Sequence, residues 1–167
     1  MNSAERIKAL LSGTGLTLSA AESCTGGNIS HMITLVSGSS EYYLGSVTSY
    51  AVSVKESVLN VPAGAISEAG VVSSEVAAAM AEGVRNLTGS TYSVSTTGLA
   101  EGADAFNPEG TVWIGVSGPA GTKTFRHRFS GSRASNIGRF TRTALQHLIK
   151  YIEQSLSIET QYKKQKS

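Results

Sequence analysis

The chain has 167 residues, 40% of them apolar and 16% charged, with a formal net charge of +2. This length suits one domain with a real core, and the composition excludes a disordered chain. The charge excess is too mild, and aromatics too sparse among the basic residues, to suggest a nucleic-acid surface, and no apolar run is long enough to cross a bilayer.

In chain order, residues 3–12 read as a helix, with Ile7, Leu10 and Leu11 at helical spacing behind an Asn2/Ser3 cap. "MNSAERIKALLSG" lacks the apolar core and cleavage site of a signal peptide. "LTLSAA", 16–21, suits a buried strand. A second helix is expected from about Thr25–Gly27 through Ile29, Met32, Ile33 and Val36, with Gly38 as its C-cap. Residues 42–51 read as a strand, and "SVKESVLN" after them as a short helix. Residues 73–87 form a Ser-capped helix with Val76, Met80, Val84 and Leu87 on one face. Residues 90–97, 110–118 and 122–130 read as strands, the last two joined by "GPAG", which forces an antiparallel pair. A long final helix starts near Ser132 and turns Ile137, Phe140, Ala144, Leu148 and Ile152 inward.

This alternation predicts an α/β fold, a three-layer α/β/α sandwich with a mixed, mostly parallel sheet. Residues 1–155 are expected to form the single domain and 156–167 a polar tail. The lone cysteine, Cys24, excludes an intrachain disulfide and fits a reducing, cytoplasmic setting.

Ligands of such sheets bind where strands end and helices begin. Three loops have that position: "AESCTGGNIS" (20–29), "TTGLAEGADAFNPEG" (96–110) and "SGSR" (130–133). In the first, Gly26 and Gly27 allow close backbone approach, and Glu22, Ser23, Thr25 and Gly26 are candidates to orient a ligand or the neighbouring backbone. Ser23 and Thr25 also cap helices without any ligand, and no P-loop or dinucleotide fingerprint is present. Cys24 sits near a helix start, which favours a thiolate, but it lacks a base. The histidines are His31, nearly two helical turns away, and His127 and His147 on distant elements. A small, half-buried cysteine is the commoner outcome.

"AESCTGG", "GSS", "YAVSVK", "GVVSSEVAAAMAEG" and "TTGLA…GTVWIGV" together resemble the CinA C-terminal domain family, collinearly from about residue 5 to 152. Some members of that family are nicotinamide mononucleotide (NMN) amidohydrolases of the PncC type, acting in pyridine nucleotide salvage and NAD metabolism. The resemblance is to a stand-alone form, without the second domain that many relatives carry. It implies hydrolysis of the NMN carboxamide to nicotinate mononucleotide and ammonia, with no metal or other cofactor. It implies a homo-oligomer, a dimer by analogy, a small-molecule nucleotide substrate, and no nucleic-acid or membrane partner. The family's catalytic serine, tyrosine and lysine fall on Ser40, Tyr50 and Lys55, and its substrate contacts on Gly38, Ser39, Thr97, Gly98, Ala100 and Arg133, beside the first-loop residues.

Those types make chemical sense together. A serine attacking an amide needs a base for its proton and an acid for leaving ammonia, and a lysine whose pKa is lowered by burial or nearby positive charge can be that base. A tyrosine hydroxyl relays the proton or stabilises developing charge. Two departures from the family pattern concern recognition: Glu101–Gly102 stands where Gly-Pro is usual, and a second arginine beyond Arg133 is absent or displaced to Arg139. They motivate a second hypothesis, a catalytically silent nucleotide-binding paralogue of the same fold.

Overall fold

A computed structural model describes residues 1–166. Ser167, the last residue of the expected tail, lies outside the described residues. Helix α1 (Ser3–Leu11) is closed at its start by a reciprocal bond pair between Asn2 and Glu5. Strand β1 (Leu18–Glu22), helix α2 (Asn28–Thr34), a 3₁₀ turn (Ser39–Glu41) and strand β2 (Tyr43–Thr48) follow. Then come α3 (Val52–Leu59), α4 (Ala63–Ala69), α5 (Ser74–Thr88), β3 (Tyr92–Gly98), β4 (Thr111–Gly118), β5 (Gly121–Arg128) and α6 (Arg133–Gln165).

The five strands form one mixed sheet in the order β2-β1-β3-β4-β5. β1 is parallel to both β2 and β3, whereas β3–β4 and β4–β5 are antiparallel. Alternate residues along β1 separate two cores. Leu18 and Ala20 join Ile7, Leu11, Ile29, Ile33, Phe140 and Leu148 under α1, α2 and α6. Ala21 joins Leu59, Val76, Met80 and Val84 under α3 and α5.

On the α5 face, small residues let helix and sheet approach closely. Ser93 and Ser95 of β3 donate their hydroxyls to the Ala81 and Ala77 carbonyls at 2.5 and 2.6 Å. A methyl group at Gly115 would lie 2.4 Å from the same Ala77 oxygen. Leu87, expected on the buried face of α5, is 56% exposed, although Val84 one turn earlier is fully buried.

The expected second helix is shorter than its apolar pattern. It ends at Thr34, and Gly38, with φ of 83°, starts the 3₁₀ turn instead of capping α2. Among the described residues no helix is long and apolar enough to cross a membrane.

The chain passes from β1 through α2 to β2 on one side, and from β2 through α3, α4 and α5 to β3 on the other. These connections lie on opposite faces of the sheet, so a crevice opens beyond the carboxyl end of β1. Residues 23–24, 49–50 and 97–98, which follow or end the three parallel strands, all meet at that edge.

Candidate functional site

A cavity of about 390 Å³ occupies this crevice. Ser23 and Cys24 line it from β1, Tyr50 from β2, and Thr97, Gly98, Leu99 and Ala100 from β3 and its loop. Val71 and Val72 add an apolar wall, and Glu101, Asp104 and Arg133 are charged lining residues.

Lys55 lies beside this cavity and is fully buried. It belongs to the first half of α3, whose start at Ala51 follows directly on the end of β2. Its Nζ donates to Ser23 Oγ at 2.8 Å, to the Ser49 carbonyl at 2.5 Å and, more weakly, to the Tyr50 carbonyl at 3.4 Å. Three acceptors match the three protons of an ammonium group, but none is a carboxylate. Burial therefore dominates and pulls the lysine from 10.5 to about 8, slightly opposed by the Cys24 sulfur. A lysine poised near neutrality, bonded to a serine hydroxyl that faces a cavity, has the geometry of a general base on its nucleophile.

Cys24 has the opposite character. It is buried, and desolvation pushes its thiol up to about 12, beyond what a Thr96 hydrogen bond and the nearby Lys55 offset. It is a packed floor residue. The histidines are elsewhere: His127 on β5 and His147 on α6 pair with each other, Nε2 to Nε2, at 2.7 Å.

The expected site residues separate into three groups. Ser23, Tyr50, Thr97, Gly98, Ala100 and Arg133 line the cavity, with Lys55 against Ser23. Tyr50 meets Lys55 through its carbonyl and not through its hydroxyl. The hydroxyl is at the mouth and accepts from Arg133 Nη2 at 3.0 Å.

A second group supports the loop from behind. Glu22 is fully buried and accepts from Thr25 Oγ1 at 2.7 Å, the Ile29 N–H at 2.8 Å and the Ser30 N–H at 3.0 Å. It thereby satisfies the open amides at the start of α2. Thr25 also shares a 2.8 Å bond with Thr96. Gly26 lies on a separate surface groove with Gly27 and Asn28. These residues orient backbone, the second of the two roles their types allow.

Gly38, Ser39 and Ser40 form the third group and do not converge with the others. Their turn precedes β2, whereas Tyr50 and Lys55 follow it. Six residues of strand put roughly 20 Å between the two ends. Ser40 is exposed, and its turn is fastened to α1 instead. Lys8 Nζ donates to the Ser37 carbonyl at 2.7 Å, and Glu41 accepts from Ser12 Oγ and the Gly13 N–H at 2.9 and 2.6 Å. Within the chain, the serine that meets Lys55 is Ser23.

A family model for the CinA C-terminal domain matches residues 1–152. The chain belongs to that family. It is 49% identical over 132 residues to a CinA-like protein of Salinibacter ruber, an alignment covering 78% of this chain and 32% of that protein. A CinA-like protein of Acaryochloris marina is 47% identical over 126 residues, covering 74% and 30%. The CinA-family chain thus spans about a third of the length of the curated relatives it matches.

Among solved structures, a competence-damaged protein (CinA) superfamily protein from Klebsiella pneumoniae superposes with a TM-score of 0.86 at 28% identity, covering 92% of this chain and 99% of that one. A competence/damage inducible protein from Agrobacterium tumefaciens gives 0.85 at 31% identity, covering 89% and 92%. The CinA fold is therefore shared over nearly the whole chain.

Proposed function

We propose that this CinA-family domain is an amidohydrolase that cleaves the carboxamide of NMN, or of a close pyridine relative, to the carboxylate and ammonia through a serine ester. The observation carrying this reading is the 2.8 Å bond between the buried Lys55 and Ser23 on the cavity wall.

In its neutral form Lys55 takes the Ser23 proton as Oγ attacks the carboxamide carbon. The ammonium so formed returns that proton to the departing nitrogen, ammonia leaves, and an ester remains on Ser23. Water, deprotonated by the same lysine, then attacks the ester, and the ammonium returns that proton to the departing Ser23 Oγ as the carboxylate is released. Val71, Val72 and Leu99 offer apolar surface to a flat ring, and Tyr50 and Arg133 meet the sugar end of the ligand at the mouth. The dyad needs one base and one nucleophile, so this route assigns no chemical step to Ser40 or Cys24.

Ammonia and nicotinate mononucleotide measured from NMN test the activity, and mass spectrometry of the quenched enzyme tests the ester. An acyl adduct located on Ser23 by fragmentation of the tryptic peptide 9–55, which also holds Ser40, is the expected result. Turnover of NMN by Ser23→Ala at the parent rate would sink this mechanism.

A further inference from the structure

Arg133 is the guanidinium at the mouth of the cavity, and it is already occupied. Its Nη1 donates to Glu101 Oε1 at 3.2 Å while its Nη2 holds the Tyr50 hydroxyl. Asp104 lines the same cavity, so its lining sets two carboxylates against one guanidinium.

The pairing is held in place by the fold. Asn136, fully buried in the first turn of α6, donates Nδ2 to the Ala100 carbonyl at 2.9 Å. That bond pins the residue before Glu101 to the turn that carries Arg133. Asn107 fixes the far part of the loop by donating to the Val72 carbonyl at 2.8 Å. Both partners of the Glu101–Arg133 pair are about half exposed or more, at 62% and 45%. Such a pair adds little to stability, whereas at the entrance it sets the charge that a ligand meets.

We propose that Glu101 is the charge-selecting residue of this cavity, favouring an unphosphorylated pyridinium nucleoside carboxamide over the corresponding nucleoside monophosphate. This rests on the carboxamide reading above and narrows its substrate class. A phosphate dianion entering the mouth must displace Glu101 from Arg133 and lie near two carboxylates. A nucleoside bearing only the ring's positive charge meets a mouth of opposite sign and leaves the pair intact.

The test uses the full chain carrying Ser23→Ala, so that binding is read without turnover. Calorimetry compares NMN with nicotinamide riboside, before and after adding Glu101→Gln. NMN is expected to tighten about tenfold, from removal of one carboxylate near a doubly charged group, while the riboside changes by less than about twofold. The gain should shrink at high salt, and shrink again in an Arg133→Ala background, where no guanidinium is left to be freed.

Equal changes for the two ligands, or none for either, overturn the charge-selecting role and leave the hydrolase reading standing. If neither ligand binds to either protein, the inference falls together with that reading. If both bind with the expected shift but the parent with Ser23 intact releases no ammonia from either, the selectivity stands and the hydrolase reading alone falls.

Discussion

Two turns of this molecule carry a serine near a lysine, and only one has the geometry of a reactive pair. After β1, Ser23 accepts from Lys55, which burial has drawn to about 8. Before β2, Ser40 is exposed in a turn where Lys8 binds the Ser37 carbonyl. The two turns share small residues, glycines at positive φ and a nearby helix end. They differ in which end of the parallel strands they occupy and in whether water reaches the lysine. A serine–lysine pair becomes chemistry when the ammonium loses its solvation without gaining a carboxylate, and only the first turn meets that condition.

The largest expected effect is at that pair. Ser23→Ala and Lys55→Met should each lower kcat/KM for ammonia release by roughly a thousandfold or more, because nucleophile and base act as a unit. The double variant should be little worse than either single one. Near-multiplicative losses in the double variant would show that the two side chains act independently and would break the assignment.

The pH profile is the next sharpest probe. If neutral Lys55 is the base, kcat/KM rises about tenfold per pH unit below the pKa and levels off above about 8. A rate at pH 6 roughly a hundredfold below the plateau is expected, and a profile flat from pH 6 to 9 would exclude Lys55 as the base. Stability should follow the same group. Below about 8 both the folded and the unfolded chain hold the proton, and the cost of the buried ammonium is fully present. Between about 8 and 10.5 the unfolded chain binds a proton that the folded one has released, so Lys55 makes stability increase with pH across that window. Comparing denaturant midpoints of the parent and Lys55→Met over that range isolates the contribution.

The pairing behind these predictions was not legible in the sequence, although most of the fold was. Ser73 before α5, Ser132 before α6 and the "GPAG" turn announced their elements through local capping and turn chemistry, and the structure has all three. α4 carries no such signal: Pro62 at its start makes no side-chain cap bond, and none of residues 63–69 is fully buried, Ile66 only packing partly against the core under α5. The apolar spacing through Val36 predicts a longer α2 than the helix that ends at Thr34.

Ser23 and Lys55 lie 32 residues apart, and only the parallel register that sets Glu22 against Thr48 brings the two strand ends level. Spacing along the chain is blind to that register. The family resemblance is what sets Ser40 with Tyr50 and Lys55, and in this chain β2 lies between Ser40 and the other two. Glu22 had a usable local signal, a carboxylate a few residues ahead of a helix start, which is where open amides need an acceptor.

Smaller effects sharpen the contrast between a packed floor and a reactive one. Gly98 closes the floor: a methyl group there would lie 2.8 Å from the Thr111 carbonyl and 3.1 Å from Cys24 Sγ. Gly98→Ala should cost about 1–3 kcal/mol in chemical denaturation and lower activity by displacing the Ser23–Cys24 turn. Cys24→Ala removes only one buried sulfur. It should cost about 1 kcal/mol and keep activity within a few-fold, and the parent thiol should resist alkylation at pH 8 until the chain is unfolded. Rapid alkylation with loss of activity in the native state would return Cys24 to candidacy.

The smallest expected effect bears most directly on the two turns. Ser40 makes no bond to the cavity and is open to solvent, so Ser40→Ala should leave the denaturation midpoint within about 0.5 kcal/mol and ammonia release within twofold. The family resemblance places the nucleophile at Ser40, while the geometry within one chain favours Ser23, so this near-neutral substitution separates the two assignments. If Ser40→Ala abolished turnover in a folded protein, Ser40 would have to reach a cavity from outside its own chain. Mixing Ser40→Ala with Lys55→Met protein would then restore activity, because one hybrid interface would carry both intact groups. With Ser23 as the nucleophile, mixing restores nothing beyond the activity that Ser40→Ala already has, since the dyad is complete within each chain.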